Sequence, residues 1–373
     1  MKGLSSFVLP DHSVVKRDII RPEELRQPDY LKNYDRRTVF YDCFRVGREL
    51  VFIAPPLLNL KDELLAALQK AAGGHARLRY FARDRTAEIR LKTRAERLEV
   101  PFGGVTQTII PQVTDYPLFA GRRVMLTQSK NNDPQWIADS FQFHAKNHGA
   151  NALLIYDNNS DRYTPTELEA VLKNRFPGDV MKVVDWQFPF GAVGGPHKKW
   201  DSDFSPYGVL NHARFRYLAK ARSVLQGDID ELVLAEDGNR SVFSAAERSL
   251  FGFIIFGGHW ICEATTREET QPRRHCDFVH VAAQPDVFNT PKWCAAPWRI
   301  WHGSQWKIHS IANSRGSQHH TPKFGIRHFR AITSWRADRA ITRPIQTDDR
   351  IDQALVEAMA RAGLFQEVND APT

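Results

Sequence analysis

The pattern of apolar and polar positions divides the chain into two stretches of different character. Up to about residue 118, short apolar runs predict strands, and a single helical pattern over 61–72 is stopped by Gly73 and Gly74. The segment before about residue 37 is charged and interrupted by prolines, so we expect an extended arm there. These features predict a small, mostly β module over residues 1–118, with strands at 39–44, 49–54, 77–82, 87–93 and 96–100.

Beyond residue 118, predicted strands and helices alternate. The pattern predicts strands over 123–127, 152–156, 180–184 and 223–225, and helices over 134–148, 164–174 and 206–221. This alternation is typical of a parallel sheet covered by helices, in which ligands bind at the carboxyl ends of the strands. We therefore expect an α/β domain over 119–345, and then a C-terminal helix and tail over 346–373.

The charge and the cysteine content of the chain restrict the classes of partner that it could bind and the cellular compartment in which we expect it. The chain has 51 Lys and Arg against 43 Asp and Glu, and the net charge of +8 suits nucleic acids, nucleotides or an anionic membrane face. Four cysteines with no C-x-x-C pair predict reduced thiols in a cytoplasmic protein. The apolar stretches are too short to span a bilayer, so we expect a cytoplasmic protein that contacts the inner membrane face at most peripherally.

The segment Asp228-Ile229-Asp230, at the end of a predicted strand, is the sharpest chemical feature. On an extended backbone the side chains at positions i and i+2 point the same way, so the two carboxylates would repel each other. A divalent cation such as Mg²⁺ or Mn²⁺ removes that repulsion and takes its other ligands from water and substrate phosphates. The alternative is a solvated acidic turn.

Two further polar loops follow predicted strands. The loop Asp157-Asn158-Asn159-Ser160-Asp161 could hydrogen-bond a nucleoside, or it could form a plain Asx turn ahead of the next helix. In the loop over 129–133, Lys130 could neutralise phosphate charge, although most loop lysines are solvated.

Basic, aromatic and histidine residues are concentrated in the C-terminal third. Basic residues interleaved with aromatic ones can bind single-stranded nucleic acid, which makes a basic nucleic-acid-binding protein the alternative. No RRM, KH or helix-turn-helix signature accompanies them, which counts against that alternative. The imidazole of one of the histidines could also complete a metal site, but the spacings between the histidines and the cysteines fit no zinc module. The residues concerned are Arg327, Arg330, Trp335, Arg336, Arg339, His302, His309, His319, His320 and His328.

Residues 129–161, SKNNDPQWIADSFQFHAKNHGANALLIYDNNSD, resemble the opening of bacterial glycosyltransferases of the family 92 type and the related family-2-like group. The stretch over 210–233 resembles their helix followed by D-x-D-E-F, and Lys292–Pro297 and His328-Phe329-Arg330 are similar to later motifs. The resemblance covers roughly residues 122–340 and departs from the family at Asp133, Asp139-Ser140 and Leu232. The positions in register are Asn132, Ile137, His144, Gly149, Asp157, Asn158, Ser160 and Asp161.

The resemblance implies a GT-A type nucleotide-binding domain, a mixed sheet flanked by helices. In such a domain Mn²⁺ or Mg²⁺ holds a nucleotide-sugar donor, a UDP-sugar above all. The metal ligands would be Asp228, Asp230 and His309. His302 and His328 are the next candidates for the position of His309. The donor would be bound by Lys130, Asn132, Asp157, Asn158 and Arg330.

The resemblance also implies inversion at the anomeric carbon, which needs a general base on the acceptor hydroxyl. Glu263, Glu268, Asp277 and Asp286 are the candidates. Glu263 is preferred because it follows Phe251–Gly258, which is similar to the family's W-x-x-F-G segment. The expected acceptor is a glycan or a lipid-linked glycan in surface polysaccharide or lipopolysaccharide assembly. The departures from the family motifs leave a catalytically silent GT-A domain as a further alternative.

Overall fold

A computed structural model describes residues 3–238, 240–266, 273–284, 286–318, 320–334 and 342–365. The chain forms two compact units. The first unit comprises Met1–Tyr116 and Asp185–Ala219, and the second comprises Pro117–Val184 and Lys220–Thr373. The domain boundaries expected from the sequence stay predictions, and the structure groups residues 185–219 with the N-terminal part of the chain.

The first unit is built on a five-stranded sheet in the order 77–83, 86–92, 49–54, 42–46 and 112–113. The helix Lys61–Ala71 buries Leu64 and Leu68 in a core with strand residues such as Phe52, and it ends where Gly73 has a φ of 95°. The strands of this unit are Phe7–Val8, Thr38–Phe40, Asp42–Val46, Glu49–Ala54, Arg77–Arg83, Thr86–Lys92, Leu98–Phe102, Val105–Ile109 and Gln112–Val113. Its helical segments are Glu23–Leu25, Tyr30–Asn33, Leu58–Leu60, Lys61–Ala71, Phe204–His212 and Ala213–Tyr217.

The helix predicted over 206–221 is shorter and less regular than expected. An α-helix covers Phe204–His212, and a π-helical turn covers Ala213–Tyr217 and is closed by the Leu218 N–H on the Ala213 carbonyl. His212 and Arg216 both bind the buried carboxylate of Asp42. We attribute the wider turn to this shared carboxylate and not to the helix propensity of the segment.

The second unit is built on an eight-stranded mixed sheet flanked by helices, which confirms the predicted fold class for this part of the chain. In chain order its strands are β1 (Arg123–Ser129), β2 (Ala152–Asp157), β3 (Val180–Asp185), β4 (Ser223–Gln226), β5 (Glu231–Ala235), β6 (Phe253–Ile261), β7 (Val287–Ala295) and β8 (Phe324–Phe329). Their order in the sheet is β3-β2-β1-β4-β7-β6-β8-β5. All six residues of β2 are buried, as expected for a strand covered on both faces.

Helices cover the sheet because local signals start and stop them. The helix Pro134–His148 begins where the Asp133 carboxylate accepts the Gln135 N–H, and it ends at Gly149, whose φ is 77°. Thr164 forms a capping box with Glu167 at the start of the next helix. The helical segments are Tyr116–Phe119, Pro134–His148, Pro165–Arg175, Val242–Arg248, His275–Asp277, Pro297–Arg299 and Gln353–Arg361, and the short strands outside the sheet are His280–Val281, Gln305–Trp306, Ile311–Ala312 and Arg350–Ile351.

Strand direction defines two edges of this sheet. β1 is parallel to β2 and β4, β7 is antiparallel to β4 and β6, and β8 is parallel to β6 and antiparallel to β5. Strands β1, β2, β4, β6 and β8 therefore end at one edge, which we call the carboxyl edge. The side chains predicted to carry chemistry follow these strand ends, so the topology gathers them at this edge.

Candidate active site

The D-x-D-E segment is a tight turn rather than the extended segment that the sequence pattern predicted. Strand β4 ends at Gln226, and the Glu231 N–H then donates to the Asp228 carbonyl over 3.2 Å. The Glu231 carboxylate accepts the Asp228 N–H over 2.9 Å, which closes the turn from the other side. Because the backbone turns here, Asp228 and Asp230 do not share one direction, and each finds a different partner.

Two contacts from elsewhere in the second unit hold this turn in place. His275 Nε2 lies 2.9 Å from the Ile229 carbonyl oxygen, and the Phe329 N–H donates to the Asp230 carbonyl over 2.8 Å. Burial lowers the pKa of His275 despite nearby carboxylates, so its imidazole is neutral. Both contacts bind backbone atoms, which leaves the carboxylate side chains available for other partners.

Lys292, in β7, supplies the positive charge for the first carboxylate of the turn. Its Nζ lies 2.6 Å from Asp228 Oδ2 and 3.2 Å from Glu231 Oε2, and its side chain is only 2% exposed. Burial would lower the pKa of this ammonium, but the two carboxylates outweigh burial and raise it. Burial likewise would raise the pKa of Asp228, but Lys292 outweighs it and holds that pKa below its ordinary value, whereas burial keeps the pKa of Glu231 raised.

The sequence analysis noted Lys292 only as part of a loose motif and missed this contact. A signal was present, because the lysine lies directly before the apolar run Trp293–Ala295, all of it buried. A lysine inside a buried strand needs a carboxylate partner. The pattern could therefore have predicted a buried ion pair but not its partner, which lies 64 residues away.

The second carboxylate of the turn pairs with a histidine. His328 Nε2, near the end of β8, lies 3.1 Å from Asp230 Oδ2, and the two side chains are 17% and 22% exposed. Burial would lower the pKa of His328, but Asp230 outweighs burial and raises it. The Trp260 ring stacks on the imidazole with centroids 3.9 Å apart, and the Arg330 guanidinium lies 5.1 Å from the Trp260 ring and also pairs with Asp286.

Close approach of β6 and β8 positions this histidine. Trp260 is the register partner of His328 in the parallel pair. Two residues earlier, a Cβ on Gly258 would lie 2.2 Å from the Ile326 carbonyl oxygen, so only glycine permits this pairing. The F-G-G run in the sequence therefore serves the site by letting two strands pair.

The loops after β1 and β2 are joined to each other by side-chain hydrogen bonds. Ser160 Oγ accepts the Asn131 N–H over 2.8 Å, and Asn131 Oδ1 accepts the Asp161 N–H over 2.9 Å. Within the loop after β2, Ser160 Oγ donates to Asp157 Oδ1 over 2.5 Å and the Ser160 N–H donates to Asp157 Oδ2 over 3.2 Å. The carboxylate thus bonds a residue three positions on, one further than in an Asx turn. Asn132 Nδ2 donates to Ser129 Oγ over 3.0 Å, and the buried Asn158 donates its N–H to the Ser129 carbonyl over 2.8 Å. These bonds make the two loops a single polar surface at the carboxyl edge.

The remaining predicted site residues lie around these groups. Lys130 has an exposed side chain, and its carbonyl accepts a 2.6 Å bond from Ser334 Oγ. His309 Nδ1 lies 3.0 Å from the Pro291 carbonyl oxygen. Glu263 Oε1 lies 3.4 Å from the Arg343 guanidinium. The structure brings His328 into contact with Asp230 of the turn, and the choice of His309 as third metal ligand stays a prediction.

Several predicted residues fall outside the described part of the chain. They are Glu268, His319, Trp335, Arg336 and Arg339. Among the described residues, no cluster of three or more His, Cys, Asp or Glu side chains is arranged to hold a metal ion. Within the same part of the chain, no helix is both long enough and apolar enough to cross a bilayer.

Comparison with known proteins finds slight structural similarity only. No family model and no curated protein matches the chain. Among solved structures, the chain is similar to the bifunctional glycosyltransferase WbbM, at 12% identity and a TM-score of 0.27, over 41% of this chain and 26% of that one. It is also similar to TarS of S. aureus, at 12% identity and a TM-score of 0.25, and to TarS in complex with UDP, at 14% and 0.26, each over 47% of both chains. The chain thus matches a quarter to a half of the length of these proteins, and at such TM-scores the similarity carries no weight for the function proposed below.

Proposed function

We propose that the protein is a glycosyltransferase of the GT-A type that transfers a sugar from a nucleotide-sugar to a glycan or lipid-linked acceptor. The observation that carries this proposal is the placement of the D-x-D-E turn beside the joined loops after β1 and β2, all at the carboxyl edge of one sheet. In α/β sheets that edge is where nucleotides bind. The resemblance in sequence favours a UDP-sugar, inversion of the anomeric carbon and a role in surface polysaccharide assembly.

In this proposal the loops after β1 and β2 bind the nucleoside of the donor. Asp157 and Asn158 are buried, and the bonds to Ser160 and Ser129 hold them rigidly at the strand ends. Rigid polar groups lose little conformational entropy when they bind a ligand. Lys130 lies beyond them with an exposed side chain, where it could approach the phosphates.

A divalent cation, Mn²⁺ or Mg²⁺, would be held by Asp230 and His328. Their facing atoms lie 3.1 Å apart, which is close to the roughly 3 Å that separates adjacent ligands about 2.1 Å from one ion. Two protein donors suit a cation that takes its other ligands from water and a diphosphate. Asp228, whose Oδ2 pairs with Lys292 while its side chain is half exposed, and His309 are further candidate ligands. When bound, such a cation would stabilise the negative charge of the departing nucleoside diphosphate.

The general base remains a choice between carboxylates. Glu263, preferred from the sequence, is paired with Arg343. Asp286 is joined through Arg330 and Trp260 to His328, beside Asp230. This chain of contacts favours Asp286 over Glu263 as the group that removes the acceptor proton, and comparing Asp286→Asn with Glu263→Gln in a transfer assay separates them.

A thermal-shift panel tests the proposal. UDP, GDP, CMP and their sugars are added with and without Mn²⁺ to the wild type, to Asp230→Asn and to Asp237→Asn as a matched control after β5. A ligand that binds only the folded protein must raise its melting temperature. We expect one nucleotide to give a Mn²⁺-dependent shift that Asp230→Asn loses and Asp237→Asn keeps. No shift with any nucleotide would contradict the proposal and favour a silent domain or a nucleic-acid binder.

A further inference from the structure

A second feature lies at the opposite edge of the same sheet, where β1 and β4 begin and β7 ends. Exposed cationic and apolar side chains are gathered there around the end of the helix Val242–Arg248. Leu250 is 83% exposed, Trp298 64% and the Arg222 side chain 58%. We call this set the amino-edge patch, and its members are Arg222, Arg248, Leu250, Trp298 and Arg299.

Hydrogen bonds hold the patch together as one surface. Trp298 Nε1 donates to the Arg222 carbonyl over 3.2 Å, and the Arg299 guanidinium lies 5.6 Å from the Trp298 ring. Arg299 also donates to the Glu247 carbonyl over 2.7 Å, at the end of the helix that carries Arg248. The exposed indole is therefore fixed in position rather than left on a free loop.

The carboxylate that pairs with Arg222 lies beneath the surface. Glu247 is only 10% exposed and pairs with Arg222 at 3.0 Å and with Arg123 at 2.8 Å. These two guanidiniums outweigh its burial and lower its pKa, so it is ionised. The outward face of the patch therefore presents guanidinium groups, an indole and a leucine.

We propose that the amino-edge patch docks the second unit onto a membrane surface that contains anionic lipids. Arginines near such a surface are attracted by its negative potential, and an indole is at home where headgroups meet acyl chains. Leu250 is the residue that favours a membrane over a nucleic acid as the partner. An exposed aliphatic side chain on a turn gains from entering the acyl region, whereas it contributes nothing to binding the phosphates of a nucleic acid.

This surface is independent of the proposed function, because it shares no residue with the candidate active site. The D-x-D-E turn lies at the carboxyl edge, at the other end of the strands. Docking through the amino edge would leave the carboxyl edge of this sheet directed away from the bilayer.

Vesicle co-sedimentation of the full chain tests the proposal. The probes are vesicles of phosphatidylcholine alone and of phosphatidylcholine with phosphatidylglycerol, at low and high salt. We expect binding to the anionic vesicles alone, weakened by salt because the arginines act through screened charges. Leu250→Glu and Trp298→Ala should each weaken binding about tenfold. The double variant Arg222→Gln/Arg299→Gln should weaken it and flatten its salt dependence.

Matched controls keep the test decisive. Val171→Glu places a charge on another exposed aliphatic position of the same unit, and Trp200→Ala removes an exposed indole from the first unit. Both should bind vesicles like the wild type, and every variant should keep the melting temperature of the wild type. Equal binding to neutral vesicles, or full binding by Leu250→Glu, would overturn the proposal. Binding to polyuridylate but not to vesicles would overturn it in favour of a polyanion surface.

Discussion

The two units each contain a carboxylate paired with a histidine, but in opposite settings. In the first unit, Asp42 and His212 are fully buried, with Oδ2 and Nε2 2.9 Å apart, and Arg216 binds the same carboxylate. In the second unit, Asp230 and His328 form a similar pair at 3.1 Å that remains partly exposed. The same two residue types therefore form a buried structural contact in one unit and part of a candidate site in the other.

Access and hydrogen-bond saturation account for the difference. Asp42 Oδ1 accepts the N–H groups of Ser5 and Cys43, and Oδ2 faces His212 and Arg216, so both carboxylate oxygens are occupied. Burial lowers the pKa of His212 below its ordinary value even though Asp42 opposes it. The pKa of His328 is instead raised above its ordinary value, because Asp230 outweighs burial. Residue types alone do not make a site; an oxygen that a ligand can reach is also required.

The sharpest way to break this comparison is to remove the charge from each aspartate in turn. Asp230→Asn should lower the rate of sugar transfer at least about 1000-fold, because a carboxylate that binds the cation is lost. The same variant should change the free energy of unfolding by less than about 1 kcal/mol, since the pair is partly exposed. Steady-state kinetics and urea unfolding measure the two effects. Full activity in Asp230→Asn would contradict its role.

Asp42→Asn should show the opposite effect. Replacing the buried carboxylate removes the closer of two acidic partners of Arg216, the other being the more exposed Asp115 at 3.4 Å, and we expect a loss of about 3–5 kcal/mol in the free energy of unfolding. Urea unfolding checks the value, with Asp62→Asn, an exposed aspartate of the same unit, as the control. A loss of less than about 1 kcal/mol would mean that the cluster is not a structural element.

Lys292→Met probes the ion pair behind the candidate site. It leaves the carboxylates of Asp228 and Glu231 without their cation, and we expect a loss of about 2–3 kcal/mol, since Asp228 can partly turn to solvent. The double variant Lys292→Met/Glu231→Gln should recover part of that loss, because it removes the more buried carboxylate. Equal stability of the single and double variants would argue against a shared ammonium.

The smallest expected effect is a difference in pH dependence between the two histidines. The folded-state pKa of His328 is raised, so its pair with Asp230 stabilises fully below the ordinary value of 6.5 and is lost as pH rises through the folded-state pKa. The folded-state pKa of His212 is lowered, so its contribution is present above 6.5 and is lost as pH falls. Without divalent metal, His328→Gln should cost more stability at about pH 5.5 than at about pH 8.5, and His212→Gln the reverse.

Urea unfolding at the two pH values measures this difference. Parallel pH profiles for the two variants would show that the settings of the two histidines do not differ. Mn²⁺ should reverse the trend for His328, because a metal must displace the proton from the imidazole and so binds more tightly at high pH.

Much of the second unit was predictable because local signals define its elements. Asp133, Pro134 and Gly149 lie at or beside the two ends of one helix, and the sequence analysis placed that helix over the residues the structure shows. Thr164 likewise marks the start of the next helix, because its side chain contacts Glu167, only three residues further along the chain. Such contacts are short in sequence, so one sequence suffices to find them.

By itself, the sequence determined the alternation of strands and helices, and with it the edge of the sheet at which Asp157, Asp228 and Asp230 would gather. Tertiary structure alone decided which cation each carboxylate meets. Lys292 lies 64 residues from Asp228, and His328 lies 98 residues from Asp230. Those contacts depend on how β7 and β8 enter the sheet, and no local pattern encodes that. The backbone turn at Ile229 likewise sent the two aspartates to different partners, because a turn stabilised by His275 and Phe329 replaced the extended segment that the local pattern predicted.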